Sequence, residues 1–308
     1  MKINRVRQNV FPLVAAFIWG TSFVAQSVSA DLVEPFTFNA ARSLVAFLFL
    51  LVLCALAAWR RKRDFDGAAE TKPASRRELL LGGLCCGVAL TLAANLQQKG
   101  METTSSGKAG FITALYIVIV PIAGIFLKKS APKTIWISVV LAVGGLYCLC
   151  IKEGVSITEG DFYVALCALC FSAHILLIDH FTAKVDGMEL SCAQFLVAAV
   201  LSAVGMIATE TPSFTALRLC LGPILYVGIF SSGVAYTLQI LAQKDSNPTV
   251  VSLLLSLEAV FATLAGALLL GDRMSGRELF GCLLMLSAVA LAQLPPRKDK
   301  KAARADTV

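Results

Sequence analysis

The stretch "LLLSLEAVFATLAG", Leu253 to Gly266, decides how the rest of the chain is read. It suits hydrocarbon throughout except at one carboxylate, Glu258. That acid stands about nine residues into an apolar run, roughly 14 Å deep in a bilayer, where inserting a charge costs about 3 kcal/mol or more. On a helical wheel Leu253, Val260, Leu264 and Leu268 cluster on one side, and Glu258 points about 120° away, towards Ala262, Ala265 and Gly266. The acid is therefore expected to face a neighbouring helix or a cavity. Two roles stay open: a bond to another helix that fixes packing, or a carboxylate that binds a cationic group or takes and releases a proton.

Outward from this stretch the composition repeats the message. Of 308 residues, 57% are apolar and 15% charged, too little polar surface to cover a soluble globule. A spanning helix needs about 20 mostly apolar residues. Ten such runs lie near 10–29, 35–59, 79–98, 106–127, 134–151, 161–180, 189–208, 219–242, 248–270 and 277–294. The fold class expected is an all-α integral membrane protein with ten transmembrane helices. Short connections leave no room between spans for a soluble domain. The start, with Lys2, Arg5, Arg7 and then Val28-Ser29-Ala30, has some look of a cleavable secretory signal. Its apolar part is long for one, and the repeat described below needs this segment as its first helix. The ten cysteines fall in or beside spans as small apolar fillers, and Cys167-x-x-Cys170 lacks the second pair that a metal or redox site would want.

Orientation follows from the 27 lysines and arginines, because cytoplasmic loops retain them. With the amino end inside, twenty fall on the cytoplasmic side. Six fall outside (Lys99, Lys108, Lys152, Arg218, Arg273 and Arg277), and Arg42 sits within a span. Both termini are expected in the cytoplasm, in a multi-pass protein of the cytoplasmic membrane. The net charge of +7 is then a topology signal that also favours anionic inner-leaflet lipid, and the "RRKR" cluster gives no reason to expect nucleic acid as a partner.

The chain also contains itself twice. "ARSLVA" at 41–46 matches "AQFLVA" at 193–198 with an offset of 152, while Leu96-Gln97 matches Leu238-Gln239 and Ala123-Gly124 matches Ala265-Gly266 with an offset of 142. The longer basic loop in the first copy accounts for the difference. Five helices per copy is an odd number, so the second copy enters the membrane from the opposite side. Two inverted five-helix repeats are expected, 10–151 and 160–294, followed by a basic cytoplasmic tail at 295–308. Such pairs are a recurrent way to build alternating-access carriers with the substrate near the midplane.

"FIWGTSFVA" (17–25), "SGKAGFITALYIVIVPI" (106–122), "EGDFYVALCALCFSAH" (159–174) and "SLEAVFATLAGALLLGDRMSGRELFGCLLM" (256–285) resemble the EamA-type branch of the drug/metabolite transporter superfamily. The resemblance spans roughly 10–294 and implies a ten-helix carrier with both ends cytoplasmic. The family often has proline after the glutamate and a second glutamate in the following loop, where this chain has Ala259 and Asp272, and "LKKSAPK" stands at the corresponding loop of the first half. Arg42 falls where the family commonly carries arginine.

Other polar residues at membrane depth complete a candidate substrate cavity. Arg42 lies about 10 Å from the outer face and Glu258 about 16 Å from that face, so an extended arginine bridges the gap unless it snorkels outward. Trp59 and Trp136 suit an interface, whereas Trp19 is roughly 13 Å deep and shares a helical face with Ser22 and Gln26. Thr91, Asn95 and Gln98 form one polar stripe, and Ser232, Tyr236, Gln239 and Gln243 another; the pair of stripes is expected to line a watery passage. Gln97, aligned with Gln239, is off its own helix's stripe. His174 titrates near neutral pH in its ordinary form and sits inside a span. Pro121 frees the carbonyl of Ile117 and permits a kink beside Tyr116, a candidate gate.

Enzyme classes are disfavoured: HExxH and GxSxG are absent, only two histidines exist, and no second deep acid completes a carboxylate pair. No GxxxxGK[ST] loop is present, so energy comes from a gradient or from the substrate itself. The expected function is a secondary active transporter of a small organic metabolite, such as an amino acid or drug-like compound, with a proton as candidate coupling ion and no cofactor or metal. A non-transporting scaffold or receptor is the alternative. Gly83-x-x-x-Gly87 permits close helix contact and dimers, with a monomer the default.

Overall fold

The computed structural model describes residues 2–63, 75–104, 106–127, 132–151, 157–244, 246–269 and 274–294. The basic residues of the loop 64–74, Lys128, Lys129, Lys152, Asp272, Arg273 and the tail 295–308, used above, lie outside the described residues. All regular structure described is helical: α1 (Lys2–Ala30), α2 (Pro35–Arg63), α3 (Arg76–Gly100), α4 (Ser106–Thr113), α5 (Tyr116–Phe126), α6 (Lys133–Cys150), α7 (Glu159–Thr182) and α8 (Gly187–Thr209). Then come α9 (Phe214–Leu219), α10 (Leu221–Tyr226), a π-helical segment (Val227–Ala235), α11 (Tyr236–Gln243), α12 (Pro248–Leu255), α13 (Glu258–Leu269) and α14 (Gly276–Ala292).

Among the described residues nine stretches are long and apolar enough to cross a membrane. The tenth expected run forms α14, which at 17 residues stands at the lower limit of spanning length. Large apolar side chains such as Val52, Val140, Val204 and Leu283 are exposed around the bundle, where a soluble protein would place polar ones.

Three expected spans are interrupted. The fourth breaks at Ala114–Leu115, where Ile117 N donates back only three residues to Ala114 O, tightening the turn ahead of Pro121. The ninth breaks at Ser256–Leu257. There Ser252 Oγ donates to Thr249 O at 2.9 Å and Ser256 Oγ to Leu253 O at 2.8 Å, hydroxyls competing for helix carbonyls. The eighth widens into the nine-residue π segment.

The structure corrects the wheel drawn through Glu258: Leu264 and Leu268 face outward, but Leu253, whose register is counted across the interruption, is buried, and so is Val260 at the start of the half-helix. Glu258 is the first residue of a half-helix, not the middle of a whole one.

Helix bounds recur along the chain. From the end of α1 at Ala30 to the start of α2 at Pro35, an offset of 152 leads to the end of α7 at Thr182 and the start of α8 at Gly187. An offset of 142 carries α4 onto α12 and the opening residue of α5, Tyr116, onto that of α13, Glu258. Two of the offset-related pairs, α2 with α8 and α6 with α14, pack antiparallel. Phe36, at the start of α2, fills the space beside Gly205 near the end of α8, and Leu149, near the end of α6, lies against Gly281 near the start of α14. Gly83 and Gly87 are consumed inside the chain: a Cβ on them would stand 2.6 Å from Ala193 Cβ and 2.5 Å from Val197 Cβ, so this stripe seats α3 on α8.

Candidate functional site

The interrupted spans converge with α1, α2, α3 and α7 around a small, partly enclosed cavity. Its position follows from the breaks. A half-helix that begins mid-span turns its first residues inward, and both Tyr116 and Glu258 line the cavity from such starts. Tyr116 Oη donates to Glu258 Oε1 at 3.1 Å, and both residues are buried. Gly20 lets α1 approach closely here, since a Cβ on it would stand 2.7 Å from Glu258 O and 2.6 Å from Phe261 Cβ. That contact sets the neighbouring Trp19 into the cavity wall, its ring 4.8 Å from Tyr236 and its indole N–H donating to Ser231 O at 3.1 Å.

Two charged residues share this space. Arg42 is 6% exposed and lines the cavity without snorkelling; its NH1 donates to Gln26 Oε1 at 3.4 Å, and its Nε has no partner. The expected bridge to Glu258 is not made. His174, fully buried, exchanges a hydrogen bond with Gln194 Oε1 through Nε2 at 3.0 Å, while Nδ1 stays without a partner. Gln239 donates to Gln243 Oε1 at 3.0 Å and keeps its own Oε1 unpartnered. Buried polar atoms without partners cost free energy unless something occupies the space before them. Here three belong to residues that line one cavity.

Of the candidate residues read from sequence, Glu258, Trp19, Gln26, Arg42, Gln97, Tyr116, His174, Tyr236 and Gln239 line this cavity together. Ser22 and Asn95 do not. Ser22 Oγ turns back to Ile18 O at 2.6 Å. Asn95 joins α3 to α2 and α8, accepting from Asn39 at 3.0 Å and donating to Ser202 Oγ at 3.1 Å, while Thr91 bonds Gly87 O. The third span's stripe is therefore interhelical packing, and off-stripe Gln97, which donates to Thr113 Oγ1 at 3.2 Å, takes the place at the cavity. Pro121 is buried in α5 one turn beyond the break and away from the cavity lining.

Sequence reasoning missed Phe23, Thr113, Phe171, Ile175, Ser231 and Leu255. Of these, Phe171 alone is the counterpart of a residue already singled out, Trp19. The 152 offset carries Trp19 to Phe171 and Phe23 to Ile175, and the 142 offset carries Gln97 to Gln239, Thr113 to Leu255 and Tyr116 to Glu258. Both members of all five pairs line the cavity.

Comparison with known proteins agrees with this architecture. The model of the EamA-like transporter family matches residues 8–151 and 158–294. A protein of Archaeoglobus fulgidus described as an uncharacterized transporter is 30% identical over 295 residues, covering 95% of this chain and 87% of its own. The uncharacterized transporter YwfM of Bacillus subtilis is 26% identical over 306 residues, 96% of each chain. One solved crystal structure shares the fold with a TM-score of 0.76 at 18% identity, over 94% of this chain and 98% of its own.

Proposed function

The chain belongs to the EamA-like transporter family, and from that premise we propose that it is a secondary active transporter of a small organic metabolite working by alternating access. It is an integral membrane protein, and its transporter relatives point away from enzymatic chemistry. The two halves of the proposal are the segments 10–151 and 160–294, inverted against each other, with both termini and the basic tail in the cytoplasm. Recurrent helix bounds and antiparallel counterpart helices support the inversion; the excess of basic residues on one side supports the orientation.

One observation carries the reading: the cavity between the halves is built from counterpart pairs and holds unpartnered polar groups beside aromatic walls. Arg42 offers a guanidinium, Glu258 a carboxylate, and Trp19, Phe23, Phe171 and Tyr236 supply apolar faces. That set suits a small solute bearing both charges and an apolar part, as an amino acid does. A proton is the coupling ion we assign to Glu258, the acid at the half-helix start.

The test is flux of labelled amino acids, related polar metabolites and drug-like cations into vesicles with an imposed pH gradient, for the parent and Glu258→Gln. Gradient-driven flux in the parent that is lost in the variant supports the proposal. Equal flux removes Glu258 from coupling, and no flux of any candidate under any gradient favours a scaffold or receptor.

A further inference from the structure

If the halves exchange conformations during transport, contacts between them fall into two kinds. A contact between non-equivalent residues has a mirror contact elsewhere, and exchange forms one as it breaks the other. A contact between a residue and its own counterpart is its own mirror and survives the exchange. Lys108 with Asp161 is of the first kind; the offsets place Val250 and Asn9 at the mirror positions, where no ion pair is available.

Tyr116 with Glu258 is of the second kind. The two residues stand 142 apart, the offset that carries α4 onto α12, and they are hydrogen-bonded directly. Each follows a two-residue interruption, and each opens its half-helix.

We infer that Tyr116 and Glu258 form a fixed pivot on the local two-fold axis between the halves, with Tyr116 the positioning residue that holds the Glu258 carboxylate at one depth, reachable from either side, throughout the cycle. The inference rests on the alternating-access reading. A coupling carboxylate needs this placement, because it must meet the proton from one side and release it to the other. The other charged or titratable groups lining the cavity are Arg42 from α2, His174 from α7 and Tyr236 from α11, and Cys150 of α6 and Cys167 of α7 stand within electrostatic range of Glu258. Among these, Tyr116 alone is hydrogen-bonded to the acid.

A contact on the axis tolerates exchange of its members. Tyr116→Glu combined with Glu258→Tyr rebuilds the same bond, with donor and acceptor traded between halves. The probe is dicyclohexylcarbodiimide, an apolar reagent that converts protonated, membrane-buried carboxyls to stable acylureas, located by peptide mass spectrometry across a pH series on purified full-length protein. The parent is expected to carry the adduct at Glu258. The exchange variant should carry it at position 116, with half-maximal labelling within about half a pH unit of the parent, whereas Tyr116→Phe alone displaces the Glu258 profile by about one unit or more.

A profile in the exchange variant displaced by more than about one unit overturns the pivot, as does a Tyr116→Phe profile that does not move. Should the exchange variant fail to fold, the Tyr116→Phe arm decides by itself. None of these readouts needs a transported solute. A parent that moves nothing in vesicles counts against the transport reading, and the labelling still judges the pivot.

Discussion

The Trp19 indole N–H bonds the carbonyl of Ser231 across 212 residues of chain, joining the first helix of one segment to the π-helical turn of the other at 3.1 Å. π-Helical turns recur at functional sites because they carry backbone groups outside the regular ladder. This one presents Ser231 to the cavity and delivers Tyr236 under the Trp19 ring. The widened turn and the deep tryptophan thus explain each other.

Trp19→Phe keeps an aromatic face on Tyr236 but deletes the donor. Losing one buried hydrogen bond within the protein costs about 1 kcal/mol of stability, so a modestly lower thermal midpoint is expected. Trp19→Ala also empties the wall, and about 3 kcal/mol of stability is expected to go with it. Thermal unfolding in detergent, measured on both variants, separates the two contributions.

The halves of the fold were unequally legible before the structure. Apolar run length located nearly every span, because the bilayer imposes one length on all of them. Interruptions were hidden for the same reason: "LLLSLEAV" has apolar content enough for a continuous helix, and only the serine hydroxyls at Ser252 and Ser256 hint at a break. The cavity's charged and aromatic residues announced themselves by depth. Phe23, Phe171 and Ile175 did not, since an apolar residue in an apolar span carries no signal of its own; of these only Phe171 becomes visible through the repeat, as the counterpart of Trp19. Asn95 misled because helical periodicity identifies a polar face without saying whether a helix or a cavity lies before it.

Glu210, the residue that ends α8, accepts from Phe36 N at 2.8 Å, Thr37 N at 2.7 Å and Thr37 Oγ1 at 2.8 Å. It thereby satisfies the free amides at the amino end of α2, with a negative charge where the helix dipole favours one. Glu210→Ala is expected to cost about 1–2 kcal/mol, within the range of lost caps, and Glu210→Gln about half of that. Thermal unfolding of the two variants in detergent tests the order. Equal stability of all three proteins would mean that the α2–α8 packing alone holds this end.

Gly20 poses a contest between two effects. Replacing a mid-helix glycine by alanine favours the helix by about 1 kcal/mol. Against that, the new methyl would stand 2.6 Å from Phe261 Cβ and 2.8 Å from Ala262 N, and backbone does not yield cheaply. Overpacking of this kind costs about 1–3 kcal/mol, so Gly20→Ala is expected to be net destabilising and to displace Trp19 from Ser231. A lowered thermal midpoint with a red-shifted Trp19 emission, in a background carrying Trp59→Phe and Trp136→Phe, is the expected pair of results.

Asp161 gathers Lys108 Nζ, Thr104 Oγ1 at 3.0 Å and Thr158 N at 2.8 Å, linking α4 to the capping box that opens α7. Its side chain is 9% exposed and that of Lys108 18%, so the pair is screened less than a surface bridge. Asp161→Asn removes the charge but leaves an amide oxygen for the cap; Lys108→Met leaves the acid with its other donors. Breaking the pair from the acid side takes the Asp161 charge from a partly buried ammonium, and about 2 kcal/mol is expected to be lost, below the range for fully buried pairs because lysine reaches some solvent. Lys108→Met should cost less, and the double variant should be more stable than Asp161→Asn alone by about 1 kcal/mol. The four proteins of this cycle, unfolded thermally at one pH and salt, measure the coupling, and strict additivity would show that Asp161 acts only through the α7 cap.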